Sequence, residues 1–176
     1  MGIPNTKKQY TLTVALFAVY LLALAWLVLF KLQFSVPVLE EGRVLNMIPF
    51  RGLFGPGGRY LFGEIRNNVI AFVPLGVYLC MLKGKWSFAE KTLAAGALSL
   101  AFELTQFVFV MGRADITDVI ANTLGGVIGC GIYAVLRKLL KEKTYTVLNI
   151  LAAACTIFVA ALVIILMLSN RWIRIQ

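Results

Sequence analysis

The residues that could carry chemistry in this sequence cluster at the start of one predicted helix. Asp115, Asp118 and Asn122 follow one another at steps of three and four residues, so they share one helical face. Asp115 stands where a helix N-cap is expected, and Asp118 falls in the first turn, where a carboxylate interacts favourably with the helix dipole. Gly125 and Gly129 continue the face as a G-x-x-x-G pair, which allows another helix to approach closely. The pattern predicts polar chemistry at one end of a tightly packed helix.

A second polar pair lies inside the apolar run that precedes this helix. Glu103 and Gln106 are three residues apart in the run 92–110, and they share a helical face with Ser99. A charged side chain within a membrane-spanning helix costs about 2–3 kcal/mol. Glu103 must therefore be protonated, paired with a cation or exposed to water, and an ionisable residue at this depth indicates function.

Arginine and asparagine residues complete the polar set. Residues 66–68 are expected to open a span at 65–82, at the same membrane level as Arg113. Three helices would then carry polar groups at their outer ends, which predicts a cleft open to the outer face. The alternative is a buried network of salt bridges and amide hydrogen bonds that only holds the helices together. The candidate ligand-binding residues are Arg66, Asn67, Asn68, Glu103, Gln106, Arg113, Asp115, Asp118 and Asn122, and the candidate catalytic residues are Glu103, Asp115 and Asp118.

Composition places the chain in a membrane and removes several reaction classes. Hydrophobic residues make up 60% of the 176 residues, against about 45–50% in soluble domains. The absence of histidine excludes Ser-His and Cys-His nucleophilic pairs and His-ligated zinc. The three cysteines lie in apolar runs, and no ligand-spacing motif accompanies the carboxylates, so we expect no disulfide framework, metal or cofactor. The net charge of +9 suits loops beside anionic lipid better than nucleic-acid binding.

Five apolar runs are long enough to cross a bilayer, which needs about 20 residues. We therefore predict an all-α polytopic membrane protein, a bundle of five transmembrane helices that forms a single domain over residues 1–176. Its longest connection, 31–64, is expected on the outer side of the membrane. There it would lie in the interface or fold back over the bundle, with a turn at 55–58. The predicted spans are 11–30, 65–82, 92–110, 117–136 and 146–168, of which the first and last are anchors.

The short connections predict the orientation. The leader and the turns at 83–91 and 137–143 are basic and alternate with the other connections. Positive residues favour the cytoplasmic side, so we expect the N-terminus inside and, with five spans, the C-terminus outside. Arginine, which contacts phosphates and carboxylates through two parallel hydrogen bonds, dominates the outer side and suggests binding there. These arginines are Arg43, Arg51, Arg59, Arg66 and Arg113.

Four motifs occur in order over residues 46–129, and together they resemble the VanZ-like family of membrane proteins. The first is the N-M-I-P-F segment at 46–50, and the second is the N-x-x-x-F-x-P-x-G pattern that begins at Asn68. The third is the E-x-x-Q pair of Glu103 and Gln106. The fourth begins at Gly112-Arg113 and continues through D-I-T-D to N-T-L-G. Outside these motifs, the anchors match the family only as hydrophobic segments.

The resemblance implies a bacterial cytoplasmic-membrane protein that contributes to low-level resistance against teicoplanin-type lipoglycopeptides. Our leading hypothesis is an outer polar cleft that binds an anionic lipid, a lipid-linked wall precursor or the antibiotic. Arginines would hold its phosphate or carboxylate. The alternative is a membrane enzyme that modifies a lipid-linked or wall precursor, with Glu103 and either Asp115 or Asp118 as acid and base. A transporter is disfavoured, because the sequence has no inverted repeat and one proline-interrupted span.

Overall fold

Five α-helices and two short strands form the described part of the chain. A computed structural model describes residues 7–30, 44–53, 55, 58–110 and 113–173. A 3-10 turn, Lys141–Lys143, joins the last two helices. The helices are α1 (Lys7–Phe30), α2 (Gly58–Leu82), α3 (Phe88–Phe109), α4 (Ile116–Leu140) and α5 (Thr144–Ile173), and the strands are β1 (Val44–Asn46) and β2 (Arg113–Asp115).

The helices have the length and hydrophobicity of membrane spans, as the composition predicts. Among the described residues, four stretches qualify: Lys7–Leu29, Gly58–Leu82, Phe88–Phe109 and Ile116–Ile165. The last is 50 residues long and contains α4, the 3-10 turn and most of α5. Many leucine, isoleucine, valine and phenylalanine side chains on these helices are exposed. Such surfaces are unfavourable in water and suit contact with lipid.

Helix α2 begins at Gly58, seven residues before the predicted span. Its first turns contain the apolar residues 60–62, which fall within the predicted connection 31–64. The polar triplet 66–68 lies in the third turn of α2. The prediction that these residues open the helix is therefore wrong. Continuing the helix through this apolar segment satisfies backbone groups that an irregular loop would leave unpaired.

Helix α4 packs against α2 through glycines, as the G-x-x-x-G pair predicts. A Cβ atom at Gly125 would overlap the carbonyl oxygen of Val69, and one at Gly129 would overlap that of Val73. On the facing helix, a Cβ at Gly76 would overlap the backbone of α4. The two backbones approach too closely for side chains between them, so these glycines allow the contact.

Helix α1 contributes polar contacts as well as a hydrophobic surface. The buried Thr13 hydroxyl lies 3.0 Å from the side-chain oxygen of Asn149 in α5, which is also buried. Tyr20 donates to the carbonyl oxygen of Ala71 in α2 at 2.7 Å. Ala71 lies three residues before Pro74 and next to Ile70, whose carbonyl loses its helical donor because proline has no N–H. A neighbouring helix thus supplies a donor to that part of α2.

Of the connection between α1 and α2, the described residues 44–50 contact β2 and the start of α4. Strand β1 pairs in parallel with β2, with Leu45 opposite Ala114. Residues 44–50, which we call the strap, continue to Phe50, whose N–H donates to the Thr117 hydroxyl at 3.0 Å. This small sheet departs from the all-α prediction, and it satisfies backbone groups that an unpaired loop would leave to solvent. Residues 31–43, and 56–57 of the predicted turn, lie outside the described residues.

Candidate functional site

Four helices converge at one end of the bundle around a polar cavity. Consecutive helices alternate in direction, so α1 and α3 contribute residues near their C-terminal ends, and α2 and α4 contribute residues near their N-terminal ends. The cavity has a volume of about 240 Å³. Its lining residues are Leu27, Val28, Glu64, Asn67, Asn68, Glu103, Gln106, Asp118 and Asn122.

Six of the nine predicted ligand-binding residues line this cavity. The structure therefore brings together polar groups from α2, α3 and α4 that the sequence placed on three separate spans. Among the candidate catalytic residues, Glu103 and Asp118 line the cavity and Asp115 does not. The six are Asn67, Asn68, Glu103, Gln106, Asp118 and Asn122.

The two polar residues of α3 are buried and each is bonded to a neighbouring element. Glu103 is 4% exposed, and its Oε2 accepts a 2.8 Å hydrogen bond from the backbone N–H of Asp115. Gln106 is 4% exposed, and its Nε2 donates to the carbonyl oxygen of Val28 at 3.0 Å. Both residues thus position other elements while they line the cavity.

Each carboxylate oxygen of Asp115 accepts a hydrogen bond that stabilises the fold. Its Oδ1 accepts from the backbone N–H of Thr117 at 2.7 Å, which confirms the predicted N-cap. Its Oδ2 accepts from Nδ2 of Asn46 in the strap at 2.8 Å. Asp115 therefore caps α4 and attaches the strap to it, beside the cavity lining.

Asn122 is the most deeply buried residue of the lining, with 1% of its surface exposed. Its Nδ2 donates to the Ser99 hydroxyl of α3 at 2.8 Å. Its Oδ1 has no hydrogen-bond partner among the described residues. An acceptor in that state is costly to bury, because it has lost its hydrogen bonds to water without gaining others.

The two predicted arginines do not line the cavity. Arg66 is exposed, and its Nε and Nη2 donate to Oδ1 of Asn67 at 3.3 and 3.2 Å. Arg113 is also exposed and lies in β2, opposite Val44 of β1. Its predicted neighbour Gly112 lies outside the described residues. Arg66 thus reaches the cavity through Asn67, and the lining itself is formed by carboxylates, amides and two apolar side chains.

Glu64, Leu27 and Val28 also line the cavity, and they are not among the site residues predicted from the sequence. Glu64 precedes Asn67 by three residues and Asn68 by four, so helical spacing alone places it on their face. It lies outside the predicted set because the predicted span begins at residue 65, whereas α2 begins at Gly58. Leu27 and Val28 carried no signal, because nothing distinguishes them from other apolar residues of α1.

Acidic side chains outnumber basic ones in the lining. Glu64, Glu103 and Asp118 contribute three carboxyl groups, and the described lining residues include neither lysine nor arginine. Over the described range, no group of three or more His, Cys, Asp or Glu side chains is arranged to hold a metal ion. The arrangement can accept hydrogen bonds from a polar ligand and donate some through its amide groups.

Comparison with known proteins identifies relatives of this chain. The family model described as VanZ/LLP1 matches residues 17–137. Protein VanZ from Enterococcus faecium is 37% identical over 158 residues, which cover 89% of this chain and 90% of that protein. No solved structure matches the chain.

Proposed function

The chain belongs to the VanZ/LLP1 family, and we propose that it contributes to resistance against teicoplanin-type lipoglycopeptides from the bacterial cytoplasmic membrane. In this proposal, the polar cavity binds the head of an amphiphile while the rest of that molecule stays in the lipid. The amphiphile is a membrane lipid, a lipid-linked wall precursor or the lipoglycopeptide. The whole chain acts as one transmembrane domain.

The observation that carries this proposal is that polar side chains from three helices border a shared space. A network that served only to hold helices together would pair its groups with one another and leave no room between them. Here seven polar residues surround about 240 Å³. Ionisable residues at membrane depth are costly, and in membrane proteins they mark sites of function.

We propose that the cavity opens toward the outer face. The lysine-rich turn at 83–91 follows α2, and the 3-10 turn Lys141–Lys143 follows α4, so both lie at the end of the bundle opposite the cavity. Lys7 and Lys8 at the start of α1 lie at the same basic end. The positive-inside rule places that end in the cytoplasm, with the N-terminus inside.

We also propose that α4 and α5 cross the membrane separately, which makes five crossings. A straight helix of 50 residues would be about 75 Å long, more than twice the roughly 30 Å hydrocarbon core. The chain is interrupted at Lys141, which has a φ of 49°. Beyond it, Thr146 and Asn149 bond to Gln9 and Thr13 respectively, so α5 starts beside the start of α1. The C-terminus then lies outside.

A second candidate function is catalysis on a lipid-linked or wall precursor. Glu103 and Asp118 line the same cavity, and Glu103 is buried while Asp118 is partly exposed. Two carboxyl groups in unlike environments are the arrangement that acid–base catalysis uses. Asp115 is a weaker candidate, since both its oxygens accept structural hydrogen bonds.

The experiment is a resistance assay with matched variants in a teicoplanin-susceptible bacterial host. Glu64→Gln and Asn68→Ala alter cavity-lining residues, and Glu142→Gln makes the same carboxyl-to-amide change at an exposed residue of the 3-10 turn. We expect the parent and Glu142→Gln to raise the inhibitory concentration of teicoplanin, and both cavity variants to lose most of that increase at equal protein levels. Full resistance with both cavity variants would contradict the proposal.

A further inference from the structure

Basic side chains collect at the end of the bundle opposite the cavity. Nine of them lie there with two acidic side chains, whereas the other four acidic residues of the described range line the cavity or adjoin it. One of the two, Glu90, already accepts a 2.6 Å hydrogen bond from the backbone N–H of Ser87 in the cap of α3. This end therefore keeps a large positive charge. The nine residues, which we call the basic surface, are Lys7, Lys8, Lys83, Lys85, Lys91, Arg137, Lys138, Lys141 and Lys143.

Two hydrogen bonds from the start of α5 bring the basic segments together. Tyr145 donates to the carbonyl oxygen of Met81, near the end of α2, at 2.6 Å. The next residue, Thr146, accepts from Nε2 of Gln9, near the start of α1, at 2.8 Å. Since α5 directly follows the 3-10 turn, the basic residues that begin α1, follow α2 and form that turn share one surface.

The contacts that these side chains make with aromatic residues leave their charge in place. Lys83 Nζ lies 5.2 Å from the centre of the Trp86 ring, and Lys91 Nζ donates to the Trp86 carbonyl oxygen at 2.6 Å. Arg137 Nη1 lies 3.5 Å from the Tyr133 hydroxyl. These partners are neutral groups, so they orient the cations without neutralising them. Cations that are held together repel one another, and an added anion would remove that cost.

The cations lie where the apolar helices end, which is the level of lipid head groups. Lys7 is the first residue of α1, Lys83 follows the last residue of α2, and Lys141 follows the last residue of α4. Trp86 and Leu139, which are 37% and 70% exposed, lie among them along the chain. Tryptophan and lysine at helix ends are typical of membrane interfaces. A soluble acidic protein would have to cover these apolar side chains, whereas a membrane surface offers both phosphates and apolar contact.

We propose that the basic surface binds anionic phospholipids of the surrounding membrane through their phosphate groups. Lysine and arginine side chains form charge-assisted hydrogen bonds with phosphate oxygens. A phosphate between two basic segments replaces repulsion by attraction, so these lipids stabilise the contact of α1, α2, α4 and α5 at this end. The site is distinct from the cavity and does not depend on the ligand of the cavity.

The test measures the melting temperature of the full chain in nanodiscs of phosphatidylcholine and of a mixture of phosphatidylcholine with phosphatidylglycerol. Phosphatidylglycerol that stays bound in mild detergent is counted by mass spectrometry, which gives a second measurement. Two double variants remove exposed lysines from different segments of the basic surface. They are Lys83→Gln with Lys85→Gln, and Lys138→Gln with Lys143→Gln.

The control variant, Arg51→Gln with Arg59→Gln, removes two exposed cations outside the basic surface. We expect phosphatidylglycerol to raise the melting temperature of the parent and of this control. Both lysine variants should lose most of that increase and retain less phosphatidylglycerol. The increase should also shrink in high salt, because the Debye length falls from about 10 Å at 0.1 M to about 3 Å at 1 M.

Three outcomes would overturn the proposal. The same stabilisation, or none, in the parent, the lysine variants and the control would show that the basic surface binds no anionic lipid. Loss of stabilisation in the control alone would place the lipid at the other end of the bundle. Stabilisation by polyglutamate in phosphatidylcholine nanodiscs, without an effect of phosphatidylglycerol, would assign the surface to a soluble acidic partner.

The two lysine variants also protect the test against a failure to fold. If one of them does not fold, the other still removes two cations from the same surface and gives the comparison with the control. The proposed function of the cavity is tested separately by the resistance assay, so either proposal can fail without the other.

Discussion

The backbone N–H of Asp115 donates a 2.8 Å hydrogen bond to the carboxylate of Glu103. Through this contact, the buried acid of α3 holds the residue that caps α4 and that bonds the strap through Asn46. Glu103 also lines the cavity. One carboxylate therefore connects the cavity to the N-terminus of α4, and substitutions there should affect both.

Substitutions at Glu103 should lower stability in a defined order. Glu103→Gln keeps an oxygen that can accept from Asp115, so we expect a loss of about 1 kcal/mol from the weaker neutral hydrogen bond. Glu103→Leu leaves the Asp115 N–H unpaired and should cost about 1–3 kcal/mol. Melting temperatures in detergent should therefore fall from parent to Glu103→Gln to Glu103→Leu. Glu103→Leu melting like the parent would show that the contact does not stabilise the fold.

The glycine contact between α2 and α4 can be tested within one helix. Gly129→Ala places a Cβ against the Val73 carbonyl, which should cost about 1–3 kcal/mol, and Gly129→Leu should cost more. Gly131 has no atom within 4 Å of an added Cβ, so Gly131→Ala should stabilise the helix by about 0.5–1 kcal/mol. The two alanine variants should shift the melting temperature in opposite directions, and equal shifts would contradict the close approach.

The attachment of the strap predicts an energetic coupling between Asn46 and Asp115. Asp115→Ala removes the N-cap and should cost about 0.5–2 kcal/mol, while Asn46→Ala removes the contact to the strap. Because the side chains are bonded, the double variant should be less destabilised than the sum, with a coupling of about 0.5–3 kcal/mol. Met47→Ala, at an exposed strap residue, should combine additively with Asp115→Ala. Additivity in both pairs would argue against the Asn46 contact.

The proposed topology predicts which positions an impermeant thiol reagent can reach. In a background without Cys80, Cys130 and Cys155, intact cells should label a cysteine at exposed Arg51 but not one at Gly84. A cysteine appended after residue 176 should be labelled if α5 crosses separately. Labelling at Gly84 without labelling at Arg51 would invert the orientation, and protection of the appended cysteine would reduce the crossings to four.

Several features of this protein could be predicted from the sequence because they depend on residues close together along the chain. Helix capping involves residues two or three apart, so Asp115 was identified as the N-cap of α4 from its position alone. Helical periodicity placed Gly125 and Gly129 on a packing face and Glu103 beside Gln106. The apolar composition predicted helices of membrane-spanning length. Each of these follows from local geometry and from the solvent that the side chains require.

The tertiary structure decided which of those faces meet. Asn46 and Asp115 are 69 positions apart, and no local pattern predicts that β1 pairs with β2 across that distance. The same holds for the cavity: Glu64, Leu27 and Val28 line it because α1 and α2 bring them there, whereas Arg66 and Arg113 lie outside the lining. Helix periodicity shows which residues share a face, but it carries no information on which neighbouring helix that face contacts. The direction of each polar group therefore follows from the packing of the bundle.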